Sequence, residues 1–233
     1  MTDSPVALIT GGSGGLGAAT ARLLLGRGHR VAVTGRDRAR LDRFAEDRGS
    51  PDGLLCLVAD ASDPEAAQSA VDAALQRYGR LDAVVANAGF AISDSVVDGD
   101  PSLWREMVLT NVLGPAVVAR ASMQALKESR GRVVLVGSVA GFVHAPGSLY
   151  GATKWALTGL AENIRRAVTG HGVGVTLVAP GRMETGFWDG LGGPPEASML
   201  TAGQVAESIV WALSQPPGVD VNTLVVRPIG QPV

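Results

Sequence analysis

The chain holds one cysteine, Cys56, so an internal disulfide and a cysteine-built zinc site are both excluded. Its setting, Leu54-Leu55-Cys56-Leu57-Val58, reads as buried strand and assigns the thiol to packing. Strong charge of either sign is also missing. The formal net charge is −2 and no run of Lys or Arg is interleaved with aromatics, which excludes nucleic acid as a partner. Long apolar runs are absent as well. The opening Met1-Thr2-Asp3-Ser4-Pro5 has no positive segment and leads into a short apolar stretch at 6–9, too brief for a signal peptide or a membrane span, so a cytoplasmic location is expected. Lysine is scarce too: Lys127 and Lys154 stand against eighteen arginines, which draws attention to Lys154.

What is present is a core-forming composition, 46% hydrophobic over 233 residues, enough for one α/β domain spanning 1–233. Short apolar, β-branched runs recur at 6–9, 31–34, 54–59, 83–86, 133–136, 173–178 and 224–226, with helix-compatible stretches between most of them. Runs apolar on both faces suit a parallel sheet covered on both sides by helices. The expected fold is therefore a single Rossmann-type, doubly wound domain with a seven-stranded parallel sheet. The segment 186–203 breaks the pattern: Gly190, Gly192, Gly193, Pro194 and Pro195 forbid a regular element across its middle, while Phe187, Trp188, Leu191, Met199 and Leu200 are apolar. It reads as a substrate lid, with a plain surface loop as the alternative.

Two motifs carry chemistry. Thr10-Gly11-Gly12-Ser13-Gly14-Gly15-Leu16-Gly17 follows the first strand and opens a helix over 16–25, the context in which glycines let backbone approach a pyrophosphate at a helix N-terminus. Both Gly12-x-Gly14-x-x-Gly17 and Thr10-Gly11-x-x-x-Gly15-x-Gly17 fit the stretch, so spacing alone does not choose between the two fingerprints. Tyr150-Gly151-Ala152-Thr153-Lys154 places a phenol and an ammonium on one helix face. With two tyrosines and two lysines in the chain, chance produces such a pair about 0.02 times. The ammonium, and the positive end of a helix starting near Ser148, are expected to lower the Tyr150 pKa from its reference near 10. Ser138 follows the strand at 133–136 and so falls at the carboxyl edge of the sheet, where open α/β folds bind ligands. Asn111 lies in an apolar helical stretch, where its amide needs a partner.

These motifs, with Asp60, Asn87-Ala88-Gly89, Asn111-Val112-x-Gly114 and Pro180-Gly181 followed by Thr185, give the chain a resemblance over essentially its whole length to the short-chain dehydrogenase/reductase family, in its roughly 250-residue branch. The resemblance implies a catalytic set of Asn111, Ser138, Tyr150 and Lys154. It implies cofactor contacts at Thr10, Gly11, Ser13, Gly15, Leu16, Gly17, Arg36, Asp60, Ala61, Asn87, Ala88, Gly89, Tyr150, Lys154, Pro180, Gly181 and Thr185. Within that set, Asp60 meets the adenine, Asn87 steadies the fourth strand, Lys154 holds the nicotinamide ribose, Asn111 holds a water for proton return, and Thr185 bonds the carboxamide. Two departures stand out. Ala86 replaces an asparagine common in the family, and Ser138 precedes Tyr150 by twelve positions, one fewer than the commonest spacing, which implies a shortened loop and an altered pocket.

Cofactor choice turns on the end of the second strand, where a carboxylate usually accepts hydrogen bonds from the adenine ribose. Counted as in similar sequences, that place is Gly35, and the next residue is Arg36, a fork-shaped cation suited to a 2′-phosphate. NADP(H) is expected over NAD(H); the counter-reading uses Asp37, twenty residues after Gly17. The expected reaction is hydride exchange between NADP(H) and a small-molecule carbonyl or secondary alcohol, with Tyr150 as general acid in reduction, Lys154 tuning it and Ser138 binding the carbonyl. The alternatives are a non-catalytic NADP(H)-binding regulator, or an enoyl or imine reductase on the same fold, whose relatives commonly space Tyr and Lys farther apart. His144 reads as an ordinary loop histidine and Trp188 as either a pocket cap or a lid anchor. A homodimer or homotetramer through helices at 103–126 and 149–167 is implied by the resemblance, with the tail at 227–233 available to a second contact.

Overall fold

The strand sequences dictate where they go. Val6–Thr10 (β1), Ala83–Ala86 (β4) and Gly174–Pro180 (β6) are buried along their whole length, so helices must cover both faces of the sheet they form. In the computed structural model, which describes residues 4–47, 49–92 and 95–232, they join Arg30–Gly35 (β2), Leu54–Val58 (β3), Arg132–Val136 (β5) and Thr223–Val226 (β9) in one parallel sheet of order β3-β2-β1-β4-β5-β6-β9. Residues 1–3 and Val233, parts of the opening segment and tail read above, lie outside the described residues. The period of two is visible within β1: Val6 and Leu8 enter one core with Val71, Leu126 and Leu157, while Ala7 and Ile9 enter the other with Leu24, Leu41 and Ile209. Each core is built by the helices on its side. Pro64–Tyr78 (α3), Gly114–Ser129 (α5) and Leu149–Val168 (α6) supply the first. Gly15–Gly26 (α1), Arg38–Glu46 (α2) and Ala202–Leu213 (α7) supply the second.

Helix boundaries follow local chemistry. Asp37 caps α2 by accepting from the Arg40 N–H, and Asp63 with Pro64 behind it opens α3. Ser148 caps α6 by accepting from the Gly151 N–H at 2.9 Å, which fixes the start of the helix that carries Tyr150 and Lys154. Thr201 and Gln204 form a reciprocal capping box at the head of α7.

Three expectations are corrected. Cys56 is half-buried rather than buried, because β3 is the edge strand and has a neighbour on one side alone. The helix expected at 103–126 is broken: a 3-10 turn at Pro101–Leu103 leads into Trp104–Val108 (α4), then a π-helical turn at Leu109–Leu113, then α5. The segment 186–203 is not wholly irregular. Met183–Glu184 (β7) pairs with Leu200–Thr201 (β8), Gly186–Leu191 winds into a 3-10 helix between them, and residues 202–203 already belong to α7.

Strand order reverses between β1 and β4, so the connections leaving their carboxyl ends diverge and open a crevice there. Every candidate site residue lies at or near that edge.

Candidate active site

A cleft of about 920 Å³ runs along the carboxyl edge of the sheet. One end is walled by the glycine-rich turn, Arg36, Arg40 and Asp60; the other by Ser138, Tyr150, Lys154 and the segment from Pro180 to Gly190. The turn closes tightly because most of its glycines have no substitute, Gly15 and Gly17 among them. Gly15 has φ +50°, in the left-handed region, and a Cβ on Gly17 would stand 2.4 Å from the Gly11 carbonyl oxygen and 2.6 Å from Asn87 Nδ2. Gly17→Ala should therefore destabilise the fold by about 2 kcal/mol by overpacking α1 against the turn. Gly14→Ala, whose Cβ would meet only the mobile end of Arg40 at 3.3 Å, should be nearly neutral; urea titration of both variants checks the contrast.

Most residues expected to contact a cofactor do line the cleft: Gly11, Ser13, Gly15, Leu16, Arg36, Asp60, Ala61, Asn87, Ala88, Gly89, Tyr150, Lys154, Pro180, Gly181 and Thr185. Thr10 and Gly17 do not line it. The Thr10 hydroxyl accepts from the backbone N–H groups of Asn87 (3.0 Å) and Ala88 (3.1 Å), tying β1 to the loop after β4. Asn87 completes the tie by donating Nδ2 to the carbonyls of Thr10 (2.9 Å) and Gly11 (3.2 Å). Thr10 and Gly17 shape the cleft from behind, and Asn87 from within its wall.

At the end walled by the glycine-rich turn, the Asp60 carboxylate accepts from Ser62 N (2.8 Å) and Ser62 Oγ (2.7 Å), which with the nearby Arg36 charge holds its pKa below the usual carboxylate value. Arg36 itself is ion-paired to Glu106 on α4. Asp37 has committed one carboxylate oxygen to the cap of α2, which weakens the alternative in which it holds a ribose.

At the other end, Ser138 leaves β5 and caps a 3-10 turn at Val139–Gly141, accepting from Ala140 N at 3.1 Å, and it lines the cleft beside Tyr150, whose pKa its side chain acts to lower. Lys154 is buried, 6% exposed, and its Nζ donates to the Val136 carbonyl at 3.1 Å while lying 5.7 Å from the centre of the Tyr150 ring. The expected lowering of the Tyr150 pKa is reversed. Desolvation pushes the hydroxyl up to about 12 against the smaller lowering effect of Ser138, and desolvation brings Lys154 down to about 8. The ammonium is directed at a carbonyl, and burial of the phenol dominates.

Asn111 is 1% exposed and stands behind the cleft rather than in it. Its Oδ1 accepts from Phe90 N (3.0 Å), and its Nδ2 donates to Phe90 O (2.8 Å) and Thr153 Oγ1 (3.1 Å). The side chain thus binds the loop after β4 to α6 at the π turn, a distortion often found at functional sites. Its neighbour Thr110 lines the cleft.

The segment after Thr185 contributes aromatics. Phe187 lies 5.6 Å from Tyr150, ring centre to ring centre, and 5.4 Å from Trp188, whose indole N–H donates to the Met183 carbonyl at 2.7 Å. Trp188 is both anchored and part of the wall. Thr185 caps the 3-10 turn by accepting from Phe187 N. His144 stacks on Trp155 at 5.3 Å and is not among the cleft residues, as expected of a loop histidine. Sequence reasoning missed Gln231, whose Oε1 accepts from Arg182 N at 2.9 Å beside Gly181 and joins the wall; nothing local marks a residue whose contact is 49 positions away.

The fold and the cleft together define a Rossmann-type α/β protein with its site at the switch point of the sheet. The family model described as short chain dehydrogenase matches residues 5–192, and the chain belongs to that family of oxidoreductases. An uncharacterized oxidoreductase of Staphylococcus epidermidis is 31% identical over 226 residues, 96% of this chain and 97% of that protein. The alcohol dehydrogenase of the archaeon Thermococcus sibiricus, solved with 5-hydroxy-NADP, superposes with a TM-score of 0.89 at 28% identity, covering 98% of both chains. The 3-ketoacyl-(acyl-carrier-protein) reductase of Brucella melitensis, solved with NADH, gives 0.84 at 26% identity, covering 96% of both.

Proposed function

We propose that this protein interconverts a carbonyl compound and the corresponding secondary alcohol using NADP(H). The observation that carries the reading is the meeting of Ser138, Tyr150 and Lys154 at one end of a cleft whose other end presents a glycine-rich turn and Arg36. The residues present fit a nicotinamide dinucleotide: the cleft is long and of the right order of volume, the turn presents Gly11, Gly14 and Gly15 to it with no side chain between backbone and ligand, and a Cβ on Gly89 would stand 3.6 Å from Lys154 Nζ. The bound nicotinamide would supply the hydride in reduction and accept it in oxidation.

The chain's own groups do the rest. Tyr150, with its hydroxyl pushed up to about 12, stays protonated at neutral pH and donates its proton to the carbonyl oxygen as the hydride reaches the carbon. Ser138, beside Tyr150 in the cleft wall, orients that oxygen. Lys154 swings from the Val136 carbonyl to hold ribose and to supply positive charge near the phenolate left behind. Asn111 is a positioning residue that keeps α6 against the loop after β4. Phe187 beside Tyr150 favours an apolar substituent on the ketone, and the segment 186–201 acts as the lid. The preference for NADPH rests on Arg36 at the cleft and on the absence of a carboxylate at Gly35. Exposed Leu103, Leu113 and Trp155 around α4, α5 and α6 favour a homo-oligomer paired through these helices.

The test is NADPH and NADH oxidation against a panel of small and bulky ketones. Turnover that prefers NADPH is expected; tight NADPH binding with no turnover on any carbonyl or enone would favour a cofactor-binding regulator instead.

A further inference from the structure

We infer that Glu106 sets how strongly the protein discriminates between phosphorylated and unphosphorylated cofactor, by competing with the adenosine 2′-phosphate for Arg36. This rests on the reading of Arg36 as the phosphate ligand. Arg36 follows β2 at the mouth of the cleft, while Glu106 reaches it from α4, seventy residues on in sequence, through a direct Nη1 to Oε1 ion pair. The guanidinium therefore has a carboxylate partner in the place where a phosphate would need it.

The charges around this subsite decide the effect. Arg36 and Arg40 line the cleft, and so do Asp37 and Asp60. Asp37 caps α2 and Asp60 is held by Ser62, so neither is free to leave. With Glu106 included, the five side chains sum to −1; without it they sum to zero. A dianionic 2′-phosphate arriving here must displace Glu106 from Arg36 and tolerate its charge nearby, whereas a 2′-hydroxyl need do neither. The exchange is feasible because both partners are well exposed, 60% and 62%, and exposed pairs are weak. A phosphate offers Arg36 two charges and paired oxygens in return. Glu106 thus lowers affinity for the phosphorylated cofactor without closing the site to it, and leaves the unphosphorylated one unaffected.

The experiment measures dissociation constants for NADPH and NADH, by fluorescence titration at low salt, in the unmodified protein, Glu106→Gln, Arg36→Gln and the double variant. Glu106→Gln should tighten NADPH about fivefold, the worth of one exposed pair, with NADH unchanged, and the gain should shrink at 0.5 M salt. In the Arg36→Gln background the same substitution should tighten NADPH by clearly less, because only the direct repulsion between Glu106 and the phosphate is then left to remove, with NADH again unchanged. If Arg36→Gln weakens NADPH but Glu106→Gln does not tighten it, or tightens both cofactors equally, the role of Glu106 is overturned while that of Arg36 stands. If Arg36→Gln leaves NADPH affinity intact, the reading of Arg36 fails and the inference falls with it. Thermal melts of each variant show that the fold is retained.

Discussion

Tyr150→Phe should lower kcat/KM for carbonyl reduction by about 10³-fold while leaving NADPH affinity within about a factor of two, since general acid catalysis contributes on that scale. The substitution removes one oxygen from a ring that packs 5.6 Å from Phe187, so packing is kept and the missing proton donor is isolated as the cause. The hydroxyl is also a desolvated group, pushed up to about 12 against the smaller lowering effect of Ser138. Losing it should not destabilise the fold. Steady-state rates on the best ketone of the panel, with cofactor titration beside them, measure both quantities; a residual rate within tenfold of the unmodified protein would remove Tyr150 from the role of acid.

The second large effect couples activity to stability. Lys154→Met should cost about 10²-fold in turnover and at the same time stabilise the protein near neutral pH. The lysine titrates near 10.5 when exposed and near 8 in the fold, so between those values the unfolded chain holds a proton that the folded chain has released. Stability therefore rises with pH across that window, and below it the fold carries the full cost of a buried ammonium, on the order of 3 kcal/mol. Methionine keeps the length and removes that cost, less what is lost with the hydrogen bond to Val136. The variant should exceed the unmodified protein by about 2 kcal/mol at pH 7, with the gain vanishing by about pH 10.5. Tyr150 works in the opposite sense at higher pH, because its folded value near 12 lies above the reference of 10 and the unfolded chain loses its proton first. Urea titrations of both proteins at pH 7 and 10 follow the difference; a gain independent of pH would mean that packing, and not charge burial, is responsible.

The sheet was legible in the sequence because each strand of a doubly covered parallel sheet must be apolar on both faces, and such runs stand out at 31–34 or 83–86. The two ends of the cleft were legible too, since the glycine turn and the Tyr-Lys pair that line them are local in sequence. What was not legible depends on partners far along the chain. Thr10 and Asn111 are polar residues in motifs, and nothing in their spacing tells that their hydrogen bonds go to backbone of the loop after β4 and not to a ligand. The same applies to Arg36, whose partner is seventy positions away, and to Gln231 against Arg182. The Tyr150 pKa was misjudged for a different reason: the i,i+4 spacing brings the two side chains near, but burial and the direction of the Lys154 ammonium are properties of the packed site.

The burial of Lys154 also decides how the protein meets amine-reactive reagents. The only other lysine, Lys127, lies in the last turn of α5, where Ser129 donates to the Leu81 carbonyl just ahead of β4. That end of the helix sits at the amino edge of the sheet, opposite the cleft. Protein coupled to a bulky surface through Lys127 would therefore present its open crevice to solution, whereas a small acylating reagent that enters the cleft would meet in Lys154 an amine brought down to about 8, and so more often in its reactive unprotonated form.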